Sequence, residues 1–332
     1  MQKHIAITRY GEYLALSANM LVVKENDGCK KELPLNRIKT ISINKVGVSL
    51  SSQLIIACAN RGIKIFLLDF KGQCIAEMIG TQHHATCKVR QHQYEYLITN
   101  QAATLSAKII IAKLRNQRAV LLYFNKYLKN TQPVISIKLL RTANQIIGII
   151  EKLKNTKWHL HEQWREEIMG LEGSAAALYW QILAKTELLP KFERRIGRGA
   201  TDISNKALNY SYAIITTTIW HCLQNAGLEI YAGILHAQRP GKPALVLDIL
   251  EEYRPWLVDR MIIKHRQILA KETELTPKIK KILIAEIYQS LTKKHRHRGK
   301  RLKLETIMQR QAYRLSGEFA QSKTYKPFTF KW

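Results

Sequence analysis

The sequence predicts an α+β multidomain protein, an N-terminal β-sandwich-like domain followed by a larger all-α domain. Three observations lead there. Residues 1–80 break into short apolar segments of strand length separated by turn residues. From about Arg90 onward, long stretches lack Pro, nearly lack Gly and carry apolar residues at helical spacing. The chain has 332 residues, 46% of them hydrophobic, enough for two ordinary domains that each bury a core.

In chain order, strands are expected at 5–7, 13–16, 21–23, 40–43 and 63–68. Turns are signalled by Tyr10-Gly11-Glu12, Glu25-Asn26-Asp27-Gly28, Leu33-Pro34 and Phe70-Lys71-Gly72. A short helix fits 52–61, stopped by Gly62. Residues 81–91 read as a linker and 92–332 as the helical domain. Helical faces follow at Leu105, Ile109, Ile110, Ala112 and Leu114, and again at Leu139, Leu140, Ile146, Ile147 and Ile150. Asp202 is a good N-cap and Gly227 a good stop for one long helix, and helices run to near Ser316.

Charge is the most informative bulk property. Lys and Arg number 53 against 25 Asp and Glu, a formal net charge of +28. Such an excess repels itself unless a polyanion relieves it, and nucleic acid does so with release of counterions. A membrane surface would want a concentrated basic amphipathic helix, whereas here the cations are spread along the chain. No uninterrupted apolar run approaches the roughly 18 residues that cross a bilayer, and the start lacks a secretory signal. A cytoplasmic protein with no membrane partner is expected. The five cysteines form no C-x-x-C pair and match no zinc module, so they are read as reduced packing residues.

Four stretches could carry chemistry. In Leu171-Glu172-Gly173-Ser174-Ala175-Ala176, Gly170 and Gly173 are read as bracketing a helix start. Glu172 there is either a charge favoured by the helix dipole or a ligand held rigidly by close packing. On the long helix, Asn205, Asn209 and Tyr212 share one face. That face is either a solvated stripe or, at Tyr212, a buried hydroxyl that needs a partner. Gly233-Ile234-Leu235-His236 then leads through Arg239-Pro240-Gly241-Lys242-Pro243 into an apolar helix carrying Asp248 and Glu251, three apart on one face. Two carboxylates in an apolar setting resist joint ionisation unless a cation relieves them. With an imidazole the set suits Mn²⁺ and accommodates Mg²⁺. The plainer reading is a salt bridge to Arg254 or Lys242. Finally, Arg194, Arg195 and Arg198 lie in a Gly-containing segment, and Arg296, Arg298 and Arg301 in a dense basic run. Each is either solvated or in contact with DNA phosphates.

Taken together, these stretches resemble the CRISPR-associated endonuclease/integrase family, the catalytic subunit of spacer acquisition (the Cas-one family). The resemblance rests on Leu171–Ala176, on Asp202-x-x-Asn205 with Asn209-Tyr210-Ser211-Tyr212, on Gly233–His236, and on Leu247-Asp248-Ile249-Leu250-Glu251-Glu252-Tyr253-Arg254-Pro255. Leu33-Pro34-Leu35, Ile41-Ser42-Ile43, Leu50-Ser51-Ser52 and Ala112-Lys113-Leu114-Arg115-Asn116-Gln117-Arg118 also match. Each motif is weak alone; the ordered set spans almost the whole chain.

The resemblance implies a β-sandwich, a helical catalytic domain and a homodimer formed largely through the β domains. It implies Glu172, His236 and Glu251 as ligands of Mg²⁺ or Mn²⁺, Asp248 as a supporting carboxylate, and Tyr212 and Arg254 beside them. It implies a small dimeric partner, the second spacer-acquisition protein (Cas-two). DNA would be the substrate, double-stranded, branched or single-stranded, with the cations named above and Lys242 as contacts. The competing readings are a stand-alone structure-specific repair nuclease, which a co-purifying small partner would exclude, and a non-catalytic DNA-binding scaffold, which metal-dependent cutting would exclude.

Overall fold

In a computed structural model of the chain, residues 3–70, 72, 74–80 and 86–330 are described, in two compact units, Met1–His84 and Ala85–Trp332. The first unit contains β1 (Lys3–Ile7), β2 (Tyr13–Ser17), β3 (Met20–Lys24), β4 (Lys30–Pro34), β5 (Ile38–Ile43), β6 (Ser49–Leu50), α1 (Ser52–Asn60), β7 (Lys64–Leu68) and β8 (Cys74–Met78). Two four-stranded sheets result, in the orders β4-β3-β2-β6 and β1-β5-β7-β8. Leu14 and Leu21 of one sheet share a buried core with Ile41 and Ile65 of the other and Leu54 of α1. This is the expected β-sandwich-like domain. β5 and β7 pair in parallel, which requires a crossover, and α1 supplies it. Ser51 caps that helix, its hydroxyl accepting from the Leu54 N–H at 3.3 Å.

The strands that sequence reasoning missed include β4 and β8, which lie at sheet edges. β4 reads Lys-Lys-Glu-Leu-Pro and exposes its first three residues. An edge strand tolerates charge that blunts further pairing, and so loses the alternation that marks a strand. The expected turn at Leu33-Pro34 is the end of β4, and a 3-10 turn, Leu35–Arg37, follows it.

The second unit opens with α2 (Thr86–Leu97). From Thr86 the segment 81–91 is therefore helix, not linker, and 81–85 lie outside the described residues. Nothing in Thr86-Cys87-Lys88-Val89-Arg90-Gln91 breaks a helix, and Val89 packs beside Gly227. Then come α3 (Asn100–Leu128), α4 (Pro133–Asn155), α5 (Trp164–Lys185) and α6 (Ile203–Asn225). α3 is the spine, packed against α4 and α5. Among the described helices, α4 alone is long and apolar enough to cross a membrane; its Leu139, Ala143, Ile146 and Ile150 are buried, as in a bundle helix. α6 is capped as expected, Asp202 accepting from the Asn205 N–H at 2.8 Å.

α7 (Ala244–Leu250), a short π-helical segment (Pro255–Asp259), α8 (Arg260–Lys264), α9 (Arg266–Ala270), α10 (Pro277–Thr292) and α11 (Leu304–Phe319) complete the helices. Between the last two, the basic run forms an antiparallel hairpin, β9 (Lys294–His297) with β10 (Lys300–Lys303). Arg298 and Gly299 turn it, both at positive φ, a geometry that matches strand twist. His295 and His297 lie against Phe330 and Phe328, at 5.5 and 6.0 Å between ring centres. Lys294, Arg296 and Arg298 alternate with them and are exposed. The run is a two-faced strand, a period that its uniform charge conceals in the sequence.

Candidate active site

The loop that follows Tyr231 turns back on itself at Gly233. A Cβ there would come within 2.6 Å of the Ala244 Cβ and 2.7 Å of the His236 carbonyl oxygen, so only glycine lets the loop close onto the start of α7. This closure wraps three backbone N–H groups around one carboxylate. Ile234 and Leu235 donate to Asp248 Oδ2 at 2.5 and 3.2 Å, and His236 donates to Oδ1 at 3.0 Å. His236 Nδ1 reaches the same Oδ1 at 2.6 Å.

Asp248 is thus fully enclosed, with each carboxylate oxygen engaged by two nitrogens. It holds the imidazole of His236 by Nδ1 and leaves Nε2 as the outward nitrogen, the arrangement found behind metal-ligating histidines. Burial by itself would depress the His236 pKa. The Asp248 hydrogen bond, with the charges of Asp248 and Glu251, more than offsets burial and holds it above the ordinary value.

Glu172 corrects its sequence reading. It lies well inside α5, which begins at Trp164 with Glu166 and Glu167 in its first turn. The helix dipole therefore does not explain it. Gly170 and Gly173 are helix-interior residues whose missing side chains would meet nothing within 4 Å; they do not bracket a helix start or mark a close backbone approach there. A helix tolerates them because its core side is carried by Trp164, Ile168, Ala175 and Tyr179, all buried.

Glu251 follows the end of α7 and is buried. Arg254 donates to its Oε1, the salt bridge anticipated from the sequence. The unanticipated residue is Lys113 of α3. Its ammonium contacts Glu172 Oε1 and lies 2.5 Å from Glu251 Oε2. Acids from two separate elements thus converge on one cation. Burial would raise the Glu251 pKa, but Arg254 and Lys113 beside it hold it down at about 2. Lys113 is raised in turn, because the two glutamates outweigh its burial.

A second network adjoins the first. The Arg254 guanidinium sits 4.9 Å from the Tyr212 ring centre, within cation–π range. The Tyr212 hydroxyl donates to Asp259 Oδ1 at 2.5 Å, and the Tyr179 hydroxyl to Oδ2 at 3.0 Å. Tyr212 thus flanks the site through its ring, while its hydroxyl is committed elsewhere. The π-helical segment ends at Asp259, and burial raises that carboxyl to about 6 despite the two hydrogen bonds.

Asn205 and Asn209 are not a solvated stripe. Asn205 Oδ1 accepts from the Ile196 N–H at 2.9 Å and from Arg195 at 3.0 Å, and Asn209 Oδ1 accepts from Arg195 at 2.6 Å. Arg195, expected as a DNA contact, is half-buried and held by these bonds, its guanidinium 5.2 Å from the Tyr212 ring centre. Arg194, Arg198, Lys242, Arg296, Arg298 and Arg301 are exposed. Glu252, next to Glu251, accepts from the Tyr325 hydroxyl and the Phe328 N–H, both at 2.5 Å, and straps the C-terminal segment onto the core.

Among the described residues, no three His, Cys, Asp or Glu side chains stand close enough to hold a metal ion as placed. The donor chemistry nevertheless fits one. Glu251 Oε2 is buried and receives no well-directed hydrogen bond, although the Lys113 ammonium is beside it. Glu172 reaches the same ammonium, and His236 offers Nε2. Two carboxylates and an imidazole suit a hard or borderline divalent ion.

Comparison with known proteins places the chain in a family and matches its fold. The family described as CRISPR associated protein Cas1 matches residues 5–294. The chain is 47% identical over 331 residues to a CRISPR-associated endonuclease Cas1 of Francisella tularensis subsp. novicida (strain U112), covering 99% of this chain and 100% of that one. A solved casposase bound to integration product superposes with a TM-score of 0.81 at 21% identity, over 99% of this chain and 93% of that one. A chain of a Cas6-RT-Cas1–Cas2 complex gives a TM-score of 0.77 at 20% identity, over 99% of this chain and 36% of that one.

Proposed function

This chain belongs to the CRISPR-associated Cas1 family, and we propose that it is a DNA endonuclease and integrase of spacer acquisition that works with Mg²⁺ or Mn²⁺ held by Glu172, His236 and Glu251. The observation that carries the metal reading is the pairing of a saturated Asp248 with His236 Nδ1, beside two glutamates that converge on one cation. A bound divalent ion would stabilise charge developing on phosphate oxygens.

The chain's own residues set the stage. Asp248 keeps the imidazole oriented, Arg254 anchors Glu251, and the Tyr212 ring backs Arg254. Exposed Arg194, Arg198, Lys242, Arg296, Arg298 and Arg301 would grip DNA backbones. The 3′-hydroxyl of an incoming DNA end attacks a phosphorus of the target strand. A new O–P bond forms as the target's bond to its own 3′-oxygen breaks, and that oxygen takes up a proton in exchange for the one the nucleophile loses. With water as nucleophile the same site cuts branched or single-stranded DNA. The reading includes a homodimer through residues 1–80 and a small dimeric second spacer-acquisition protein, the latter supported by the Cas1–Cas2 complex among the structural relatives.

The test uses labelled branched DNA with and without Mn²⁺. His236→Ala, Glu172→Ala and Glu251→Ala should each abolish cutting and joining, and leave DNA binding nearly intact because many cations share it. Pairs of these changes should cost little more than one, since losing any ligand already misplaces the metal. A folded, fully active His236→Ala protein would sink the reading.

A further inference from the structure

Lys113 lies in a buried stretch of α3, between Ala112 and Leu114, with only 11% of its side chain exposed. A lysine in such a place is rare unless paired. Here it is paired twice, with Glu172 of α5 and with Glu251 beyond α7. Without that ammonium, two carboxylates from separate elements would face each other in a largely desolvated site and repel. The charge therefore does a structural job that neither acid can do for itself.

The same position is where two of the three candidate metal ligands converge. The contact with Glu251 Oε2, at 2.5 Å, sets two opposite charges directly against each other. As placed, the donors do not form a set of three around one point. A divalent ion that takes both glutamates must take the seat of the ammonium. The lysine stem is flexible and its charge is compact and strongly hydrated, so it can withdraw without unravelling α3.

We propose that Lys113 is a positioning residue that acts as a stand-in cation: it holds Glu172 and Glu251 together in the metal-free protein and is displaced when a divalent ion binds. This inference rests on the metal reading proposed above. It makes the metal-free site preassembled but self-blocked, so that affinity is set by the exchange of one cation for another.

The test uses the full chain and Mn²⁺ alone. Amine acetylation at Lys113, read by peptide mass spectrometry, should rise several-fold as Mn²⁺ is added, with the same midpoint as Mn²⁺ binding measured by calorimetry. The rise should be absent in His236→Ala. Lys113→Met should melt lower than the parent without metal and bind Mn²⁺ about tenfold tighter or more, because a like charge has left the seat; Lys113→Arg, which keeps the charge, should not bind tighter. Mn²⁺ binding with Lys113 still protected, or Lys113→Met binding Mn²⁺ no tighter than the parent, would overturn the inference and leave the metal reading standing. Absence of Mn²⁺ binding by the parent chain would overturn both. The labelling result stands on the parent protein and decides even if Lys113→Met fails to fold.

Discussion

Asp248→Asn removes one charge and one acceptor from a carboxylate that serves four donors. The new amide has one oxygen to place. If the oxygen takes the Oδ2 position, Ile234 and Leu235 keep their acceptor, the His236 N–H is orphaned, and the amide NH₂ faces His236 Nδ1. If it takes the Oδ1 position, His236 is served and both Ile234 and Leu235 N–H groups are orphaned in a buried loop. A buried donor left unsatisfied costs about 1–3 kcal/mol, so the first arrangement, with one orphan, wins. Adding the lost charge assistance in the remaining bonds, the loss of stability is about 2–4 kcal/mol. In that arrangement Nδ1 must accept, the ring proton moves to Nε2, and the nitrogen proposed to hold the metal is blocked. Mn²⁺ affinity should fall about 10–100-fold. The His236 pKa should also drop, because Asp248 is what lifts it above burial. Long-range nitrogen NMR of the ring reports the tautomer, calorimetry the affinity and chemical denaturation the stability. A variant as stable as its parent, with the proton still on Nδ1 and unchanged Mn²⁺ affinity, would refute the reasoning.

Two further outcomes are expected. Glu252 is held at about 7 by burial, above its ordinary 4.5; a carboxyl raised on folding contributes stability below its unfolded value that is lost as pH rises through the folded one. Glu252→Gln should therefore remove the decline in stability between pH 4.5 and about 7, with its NH₂ turned to the Tyr325 oxygen; denaturation midpoints at the two ends of that window check it, and an unchanged slope contradicts it. Replacing Arg296, Arg298 and Arg301 together by Ala should weaken binding to all DNA sequences alike and lower the slope of log affinity against log salt by about 2–3, at roughly 0.9 per phosphate contact; an unchanged slope would make the hairpin a bystander.

Much of this protein was legible from local pattern. Short apolar segments between turn residues marked five strands, Asp202 capped its helix where capping chemistry said it should, and Gly62 and Gly227 followed the helices they were expected to stop. His236, Asp248 and Glu251 stood out because a single loop and the short helix after it bring them together, and spacing along a helix is readable from sequence. The charges that complete the site were not readable that way. Lys113 meets Glu172 across 59 positions, and Tyr212 meets Asp259 across 47. In each pair both partners look, in isolation, like an ordinary surface charge or a core aromatic. Whether a charge is stabilised or costly depends on how much water its neighbours exclude and which countercharge they deliver. The packing of α5 and the π-helical segment on α3, and of α6 on that segment, decides both, so Glu172 became a site acid in mid-helix, and Arg195 a bonded part of the scaffold, only in the tertiary structure.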